Sequence, residues 1–352
     1  MRLQHLFLSL VLALLCPFSA GAAEVENLYR AVVPVEDHSA RQLSRATRRG
    51  LAQVLVKVSG SREVLRDPEV SEALDRAQSY MQQYQYRRPQ RNTLELEVQF
   101  DQQLVTEVLT QALLPLWSAN RPPVLVWLVV DDATGRNFAA NDSYLELLAV
   151  IRAEFQRRGV PVEFPLYDLQ DTLAVTVHDL WQLNSLPIVR ASRRYHNEDV
   201  LVGRLRALSD QRWMGDWLYL WENESRSITE YGEPLDDFVS SGVHLAAEAM
   251  AARYAVAPTG TAGDGILVRV DGLHRYADYR ASLDHLEAVQ LVDAAVVEYA
   301  GGDTVVFRVN AQLQPEQLQR VIALKGKLRR LLQFEPLDAT LPAAELVYRW
   351  SP

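Results

Sequence analysis

Apolar residues recur along this chain with two different periods, and the two periods predict an alternation of strands and helices. At residues 94–100, leucine, valine and phenylalanine alternate with glutamate and glutamine, which is typical of a strand with one buried face. At 39–56 and 143–158 the apolar spacing is three and four residues, which predicts two helices, ended by Gly60 and Gly159. The mixture predicts an α/β (α+β) protein made of several small modules with mixed sheets.

The same patterns predict the other elements of the first two thirds of the chain. Strands are expected at 28–35, 124–130, 160–164, 199–205, 213–221 and 227–231. Helices are expected at 71–85, 104–112 and 235–254.

The last third of the chain has the clearest succession of elements. Gly301-Gly302-Asp303 is a strong hairpin turn, and Pro315 suits the first position of a helix. Together with the flanking patterns they predict the order β-α-β-β-α-β, which is that of a ferredoxin-like module. This fold hosts many functions and by itself names none.

Stretches of proline, glycine and small polar residues divide the chain into modules. Residues 257–265 combine Pro258 with three glycines and predict a linker, and Pro122-Pro123 mark a softer boundary. We therefore predict an N-terminal α/β module at 24–118, a middle α/β module at 119–256 and the ferredoxin-like module at 266–352.

The amino end predicts export. Arg2 precedes an apolar run at 6–15, and small residues follow at 19–23, which is the order of a cleaved secretory signal peptide, residues 1–23. The expected location is the periplasm. The run is shorter than the roughly 18 residues of a membrane span, and no later run reaches that length, so the mature chain is predicted to lack a transmembrane segment. Cys16, the only cysteine, lies in the segment to be removed.

Composition and motifs argue against several classes of function. The formal net charge is −9, whereas a nucleic-acid partner favours a basic surface. The sequence contains no G-x-S-x-G elbow, no glycine-rich phosphate loop and no histidine pair four residues apart. We therefore predict no cofactor, no metal and no assigned catalytic residue.

One aromatic cluster is a candidate contact site. Trp217, Tyr219 and Trp221 share one face of a predicted strand, and Trp213 lies at its start. Such a face either belongs to a central strand covered on both sides or binds sugar rings or a protein partner. The sequence leaves both alternatives open.

Arginines form a second candidate. Arg193 and Arg194 precede Tyr195, and a further segment combines Tyr84 and Tyr86 with Arg87. The alternatives are a solvated face paired with nearby acids and a docking surface for anionic envelope polymers or for a partner.

Carboxylates offer an enzymatic alternative. Asp131, Asp132 or Asp168 with His196 could form the acid–base site of a cell-wall-directed hydrolase, which requires these side chains to converge in one pocket. A small-ligand carrier is a third possibility, and it requires a concave, largely apolar pocket between modules.

Seven stretches in order carry a family resemblance: residues 29–35, 53–60, 121–127, 164–169, 194–195, 200–204 and 213–217. They resemble DUF2066, a family of unknown function among exported Gram-negative proteins. The element order of 124–254 is similar, more weakly, to the amino-terminal domain of TolB and to lipoprotein activators of cell-wall synthases. These resemblances imply no catalytic residues. The sequence thus predicts a soluble, periplasmic, envelope-associated binding or adaptor protein without catalytic activity, whose partner is an envelope protein or a cell-wall component.

Overall fold

The computed structural model describes residues 23–25, 27–89, 93–140, 142–208, 210–258, 265–289, 291–324, 326–331 and 343–351. Residues 1–22 of the predicted signal peptide and most of the predicted linker lie outside this set. Strands and helices alternate throughout, so the predicted α/β class is confirmed.

A three-stranded antiparallel sheet forms the centre of the first module. Its strands are β2 (Arg30–Val35), β3 (Met81–Arg87) and β4 (Leu94–Phe100), in the order β2-β4-β3. Its helices are α1 (Ala40–Ser59), α2 (Pro68–Asp75) and α3 (Gln102–Gln111). Ser39 caps α1 by accepting from the backbone N–H of Gln42, and Gly60 ends it with φ 80°. The apolar side of α1 packs on alternate residues of β4, as their periods predict.

The predicted helix at 71–85 is wrong in its second half. Helix α2 ends at Asp75, a short 3₁₀ turn spans Ala77–Tyr80, and β3 follows. Tyr84 and Tyr86 lie opposite Val98 and Leu96 of β4. Pairing with β4 satisfies the backbone of this polar segment, and that tertiary contact overrides its weak helical pattern.

A six-stranded mixed sheet forms the centre of the middle module. Its strands are β6 (Val124–Asp132), β7 (Gly135–Phe138), β8 (Val162–Glu163), β9 (Asp199–Ala207), β10 (Trp213–Trp221) and β11 (Glu224–Glu233). The order is β11-β10-β9-β6-β7, with β8 beside β6. Strand β6 is parallel to β8 and β9, and the other pairs are antiparallel.

Helices cover both faces of this sheet. On one face lie α4 (Leu145–Arg158) and α8 (Leu235–Tyr254). On the other lie three short helices that the sequence analysis did not predict: α5 (Leu169–Ala174), α6 (Val177–Trp181) and α7 (Ser185–Ser192). Because β6 is buried on both faces, its sequence reads as a continuous apolar run.

The third module has the strand order of a split βαβ unit with one addition. Its elements are β12 (Ile266–Asp271), α9 (Tyr276–Glu287), β13 (Val292–Gly301), β14 (Thr304–Ala311), α10 (Pro315–Ala323), β15 (Leu328–Arg330) and β16 (Leu346–Trp350). The sheet order is β13-β14-β12-β16-β15. A ferredoxin-like sheet would pair the strand after α10 with β12 in antiparallel direction. Here β16 lies between β15 and β12 and is parallel to β12.

The first and middle modules share a buried junction. The short strands β1 (Ala23–Glu24) and β5 (Asn120–Arg121) pair with each other, and the Arg158 guanidinium donates to the carbonyl of Gly60 over 2.8 Å. Among the described residues, no helix has the length and apolar character needed to cross a membrane.

Candidate functional site

A groove of about 1020 Å³ lies between the first and middle modules. Strand β2 is an edge of its sheet, and it forms one wall together with the end of α1. The second half of α4 and residues 159–162 form the opposite wall. The groove therefore depends on the way in which two modules meet, and no single stretch of sequence encodes it.

Five basic side chains line this groove and only one acidic side chain, Glu95, does so. We call the site the cationic groove and define it by the basic residues Arg30, Lys57, Arg87, Arg152 and Arg157. The chain as a whole carries a formal charge of −9, so this concentration of positive charge is local.

Three of these cations have a carboxylate neighbour. Glu97, on the central strand β4, is 5% exposed and forms ion pairs with both Arg30 and Arg87. Arg157 pairs with Glu154 three residues earlier on α4, at 2.5 Å. The two carboxylates neutralise only part of the positive charge of the groove.

Lys57 lies in the last turn of α1, where the helix dipole favours a cation. Its Nζ donates to the carbonyl oxygen of Arg30 over 2.8 Å, which joins α1 to β2. Burial, assisted by the positive charges of Arg121, Arg30 and Arg157, lowers the pKa of Lys57 to about 8. In the described part of the chain, no carboxylate oxygen lies within 4 Å of this ammonium group.

Arg152 faces the groove from the second turn of α4. Its guanidinium lies over the ring of Phe164, with 4.5 Å between Cζ and the ring centroid. It has no ion-pair partner within the ranges that the structure covers. Arg152 is therefore an exposed cation at the rim, held by an aromatic ring.

A buried arginine fixes the floor of the junction beneath the groove. Arg121 is fully buried, and its guanidinium donates to five carbonyl oxygens at the ends of α1 and α4 and in the connecting segment. Its Cζ lies 3.9 Å from the ring centroid of Trp117. Burial lowers the pKa of Arg121, but the carbonyl groups and the two helix C-termini favour its charged form. Arg121 is thus a structural residue that sets the angle between the groove walls.

The remaining lining is largely apolar. Val25, Val32, Val160, Pro161 and Val162 contribute to it, and Val32 on β2 is 43% exposed. A site with cationic and apolar walls is suited to a ligand that carries both an anionic group and a hydrocarbon portion.

The structure places the aromatic candidates in the core of the middle module. Trp217 and Tyr219 are fully buried and Trp221 is 7% exposed. This burial agrees with the alternative of a central strand covered on both sides. Trp217 Nε1 donates to the carbonyl of Phe238 over 3.0 Å. Trp213 is half-buried and packs at the margin of the same core. Buried rings cannot contact a sugar or a partner in this conformation.

The arginine candidates hold α5 in place. Arg194 donates to Asp168 over 2.7 and 2.8 Å and to the buried Asp171 over 2.9 Å, and the Tyr195 hydroxyl donates to Asp171 over 2.5 Å. Hydrogen bonds from Arg194 lower the pKa of Asp168 far below its usual range, and burial together with the bond to Asp171 raises the pKa of Tyr195 to about 12. Arg193 is exposed.

Asp131 and Asp132 do not converge with His196, as the hydrolase alternative would require. Asp131 pairs with Arg206 at 2.9 Å near one end of the parallel pair β6–β9, whereas His196 precedes the opposite end of β9. Seven residues of strand separate the two ends, a distance of about 23 Å. Asp132 accepts from Tyr144 over 2.8 Å, and Asp168 is occupied by Arg194. Within the residues described, no group of three His, Cys, Asp or Glu side chains could hold a metal ion.

Sequence analysis named only one residue of the cationic groove, Arg87, as part of an arginine and tyrosine segment. Arg30 lies on β2, whereas Arg152 and Arg157 lie on α4, and the proximity of the two elements comes from module packing. Lys57 carried a weak signal, because it is one of three lysines among 36 basic residues and lies three residues before the helix stop Gly60.

The fold and the groove define the chain as an α/β protein of mixed-sheet modules with a groove at a module junction. The model of a domain of unknown function, DUF8605, matches residues 22–118, a range that includes β2 and α1 of the first groove wall. No curated protein and no solved structure matches the chain. The matched family has no assigned activity, and the resemblance to DUF2066 stays a proposal.

Proposed function

We propose that this chain is a periplasmic, envelope-associated binding protein that acts without catalysis and holds an anionic ligand in the cationic groove. The observation that supports it best is the excess of five basic over one acidic side chain in the groove lining of an acidic chain. Since Lys57 and Arg152 lack a carboxylate within 4 Å among the described residues, a ligand could supply the missing negative charge.

The walls also restrict the ligand class. Arginine and lysine favour phosphate or carboxylate groups, and the valines along β2 and after α4 favour a hydrocarbon portion. We therefore propose an anionic amphiphile of the envelope as the ligand. Among the alternative functions left open by the sequence, the groove favours the small-ligand carrier most, because that function requires a concave site between modules.

Calorimetry of the mature chain with three probes tests the proposal. Octyl phosphate carries both an anionic group and a hydrocarbon tail. Inorganic phosphate lacks the hydrocarbon tail, and octyl glucoside lacks the negative charge. We expect saturable binding of octyl phosphate and at least tenfold weaker binding of the other two. Comparable binding of octyl glucoside would show that the positive charges are not used.

Two matched variants locate the binding site. Arg152→Glu reverses a charge at the groove rim and should weaken octyl phosphate binding at least tenfold. Arg320→Glu reverses an exposed charge on α10 of the third module and should leave the affinity unchanged. Equal effects of the two variants would indicate a general electrostatic attraction and would overturn the assignment to the groove.

A further inference from the structure

The four most exposed leucines of the described residues lie on the short helices of the middle module and on the segment that precedes α5. Leu166, Leu169, Leu173 and Leu186 are 71%, 75%, 78% and 81% exposed. Single exposed apolar residues are common on protein surfaces, but a group of four on neighbouring elements marks an interaction surface.

The helices direct these side chains away from the core. Leu169 and Leu173 are four residues apart and share one face of α5, whereas Asp171 between them is buried. On α7 the buried face carries Ile188 and Ala191. Leu186 and Arg190 are also four residues apart, and both are exposed. Helices α5 and α7 pack against each other, so their outer sides form one surface, which we call the leucine face.

The leucine face is rigidly supported. Arg194 ties both Asp168, the residue that caps α5, and Asp171 within α5 to the segment that follows α7. The Tyr195 hydroxyl accepts from the backbone N–H of Leu166 over 2.9 Å. This network fixes the helices with their leucines outward, although turning them inward would bury apolar surface.

Two arginines beside the leucine face are left without an acidic partner. Asp168 and Asp171 are both bound by Arg194, whereas Asp179 on α6 keeps its negative charge and accepts from the neutral Thr176. Arg190 and Arg193 are exposed, and neither has a carboxylate within 4 Å in the part of the chain that is described. Available positive charge therefore adjoins exposed hydrocarbon.

We propose that the leucine face docks reversibly on an anionic phospholipid surface. Leucines enter the boundary between headgroups and acyl chains, and the adjacent arginines contact lipid phosphates while their stems cover hydrocarbon. The apolar members are all leucine, which is under-represented among the residues that dominate protein–protein interfaces. Lipid is thus a better match than a protein partner, and this inference does not depend on the ligand of the cationic groove.

Vesicle sedimentation with the mature chain tests the proposal. Vesicles of phosphatidylglycerol and phosphatidylcholine in equal amounts should bind the protein at least tenfold more strongly than vesicles of phosphatidylcholine alone. Leu169→Asn/Leu173→Asn should reduce binding to the mixed vesicles at least tenfold. Leu145→Asn, at a leucine that is 59% exposed on α4, is the matched control and should bind like the wild type.

A second variant separates loss of binding from misfolding of the Leu169→Asn/Leu173→Asn protein. Arg190→Glu/Arg193→Glu keeps all four leucines and should lower binding to the mixed vesicles at least tenfold, with an unchanged circular dichroism spectrum. Absence of binding to mixed vesicles, or loss of binding with Leu145→Asn, would overturn the proposal. So would a leucine-dependent dimer in sedimentation velocity without vesicle binding, which would assign the face to a second copy of the chain.

Discussion

Gly242 of α8 lies directly against the indole of Trp217, and a Cβ atom at Gly242 would be only 2.2 Å from Cδ2 of that ring. A Cβ at Gly203 of β9, the residue that pairs with Trp217 on the neighbouring strand, would be 2.7 Å from Cζ3. The indole is therefore enclosed between a helix and a strand that approach closely because both positions are glycine. This enclosure shows that the aromatic strand contributes to packing.

Truncation of Trp217 should destabilise the middle module strongly. Trp217→Ala removes a fully buried indole and the hydrogen bond to Phe238, so we expect a loss of about 3–5 kcal/mol in the free energy of unfolding. Gly242→Ala forces extra volume against the same ring and should cost about 1–3 kcal/mol. Urea denaturation followed by circular dichroism measures both.

Trp213→Ala provides the comparison for these variants. Trp213 lies at the margin of the core and is half-buried, so its truncation should cost clearly less than that of Trp217. Equal losses for the two tryptophans, or an unchanged stability of Trp217→Ala, would contradict the packing role of the ring.

Arg121 gives a second stability prediction. Arg121→Met removes a guanidinium that supplies hydrogen bonds to five carbonyl groups, four of them buried, and the methionine cannot replace them. Loss of a buried, fully bonded charge should cost about 3–5 kcal/mol. Urea unfolding gives this value, and limited proteolysis should show faster cleavage near the junction of the first two modules.

Arg320→Met is the control for a general effect of losing an arginine. This side chain is exposed on α10, and its removal should change the unfolding free energy by no more than about 0.5 kcal/mol. A stability of Arg121→Met close to that of this control would show that other contacts hold the junction together.

Sequence patterns predicted the elements whose signals are local, and they missed the shortest helices. The alternation at 94–100 and the glycine stops Gly60 and Gly159 predicted β4, α1 and α4 well, because a strand face, a helix stripe and a left-handed C-cap are local properties. Helices α5, α6 and α7 were missed because they are only five to eight residues long, although Asp168 and Thr176 are good N-cap residues.

The groove could not be predicted from sequence for a different reason. Its cations lie on four separate elements, and their proximity depends on the junction that Arg121 holds. Sequence analysis did identify Asp168, Arg194 and Tyr195 as candidates, but it could not show that they bind one another. Which of these candidate side chains bond to one another depends on tertiary contacts, which the sequence pattern does not reveal.

Lys57 predicts a pH dependence of stability. Its pKa is about 8 in the folded protein and about 10.4 in an unfolded chain, so the unfolded state binds more protons between these values. Stability should therefore rise with pH from about 8 to 10, by at most about 3 kcal/mol from this group. The difference in unfolding free energy between the wild type and Lys57→Met, measured by urea denaturation across this range, isolates the contribution.

Below pH 8 the Lys57 contribution should be constant, because both states are then protonated. The same titration should weaken octyl phosphate binding above pH 8, since the neutral amine attracts an anion less. Lys327→Met, in the third module, is the control for lysine loss. A difference between wild type and Lys57→Met that stays flat from pH 7 to 10 would contradict the burial of this ammonium group.

Asp168 and Arg194 predict a dependence of the same sign at acid pH, where stability should again increase as the pH rises. Because Arg194 holds the pKa of Asp168 below its unfolded value of about 3.9, the carboxylate stabilises α5 above that pH and loses this effect as pH falls. Asp168→Asn should lower the amide-exchange protection of residues 169–192 at pH 7, and its difference from the wild type should shrink below pH 4. Asp210→Asn disrupts a comparable pair with Arg212 elsewhere and should leave this segment unchanged. A wild-type advantage that persists undiminished at pH 3 would mean that shape, and not the ion pair, holds the leucine face outward.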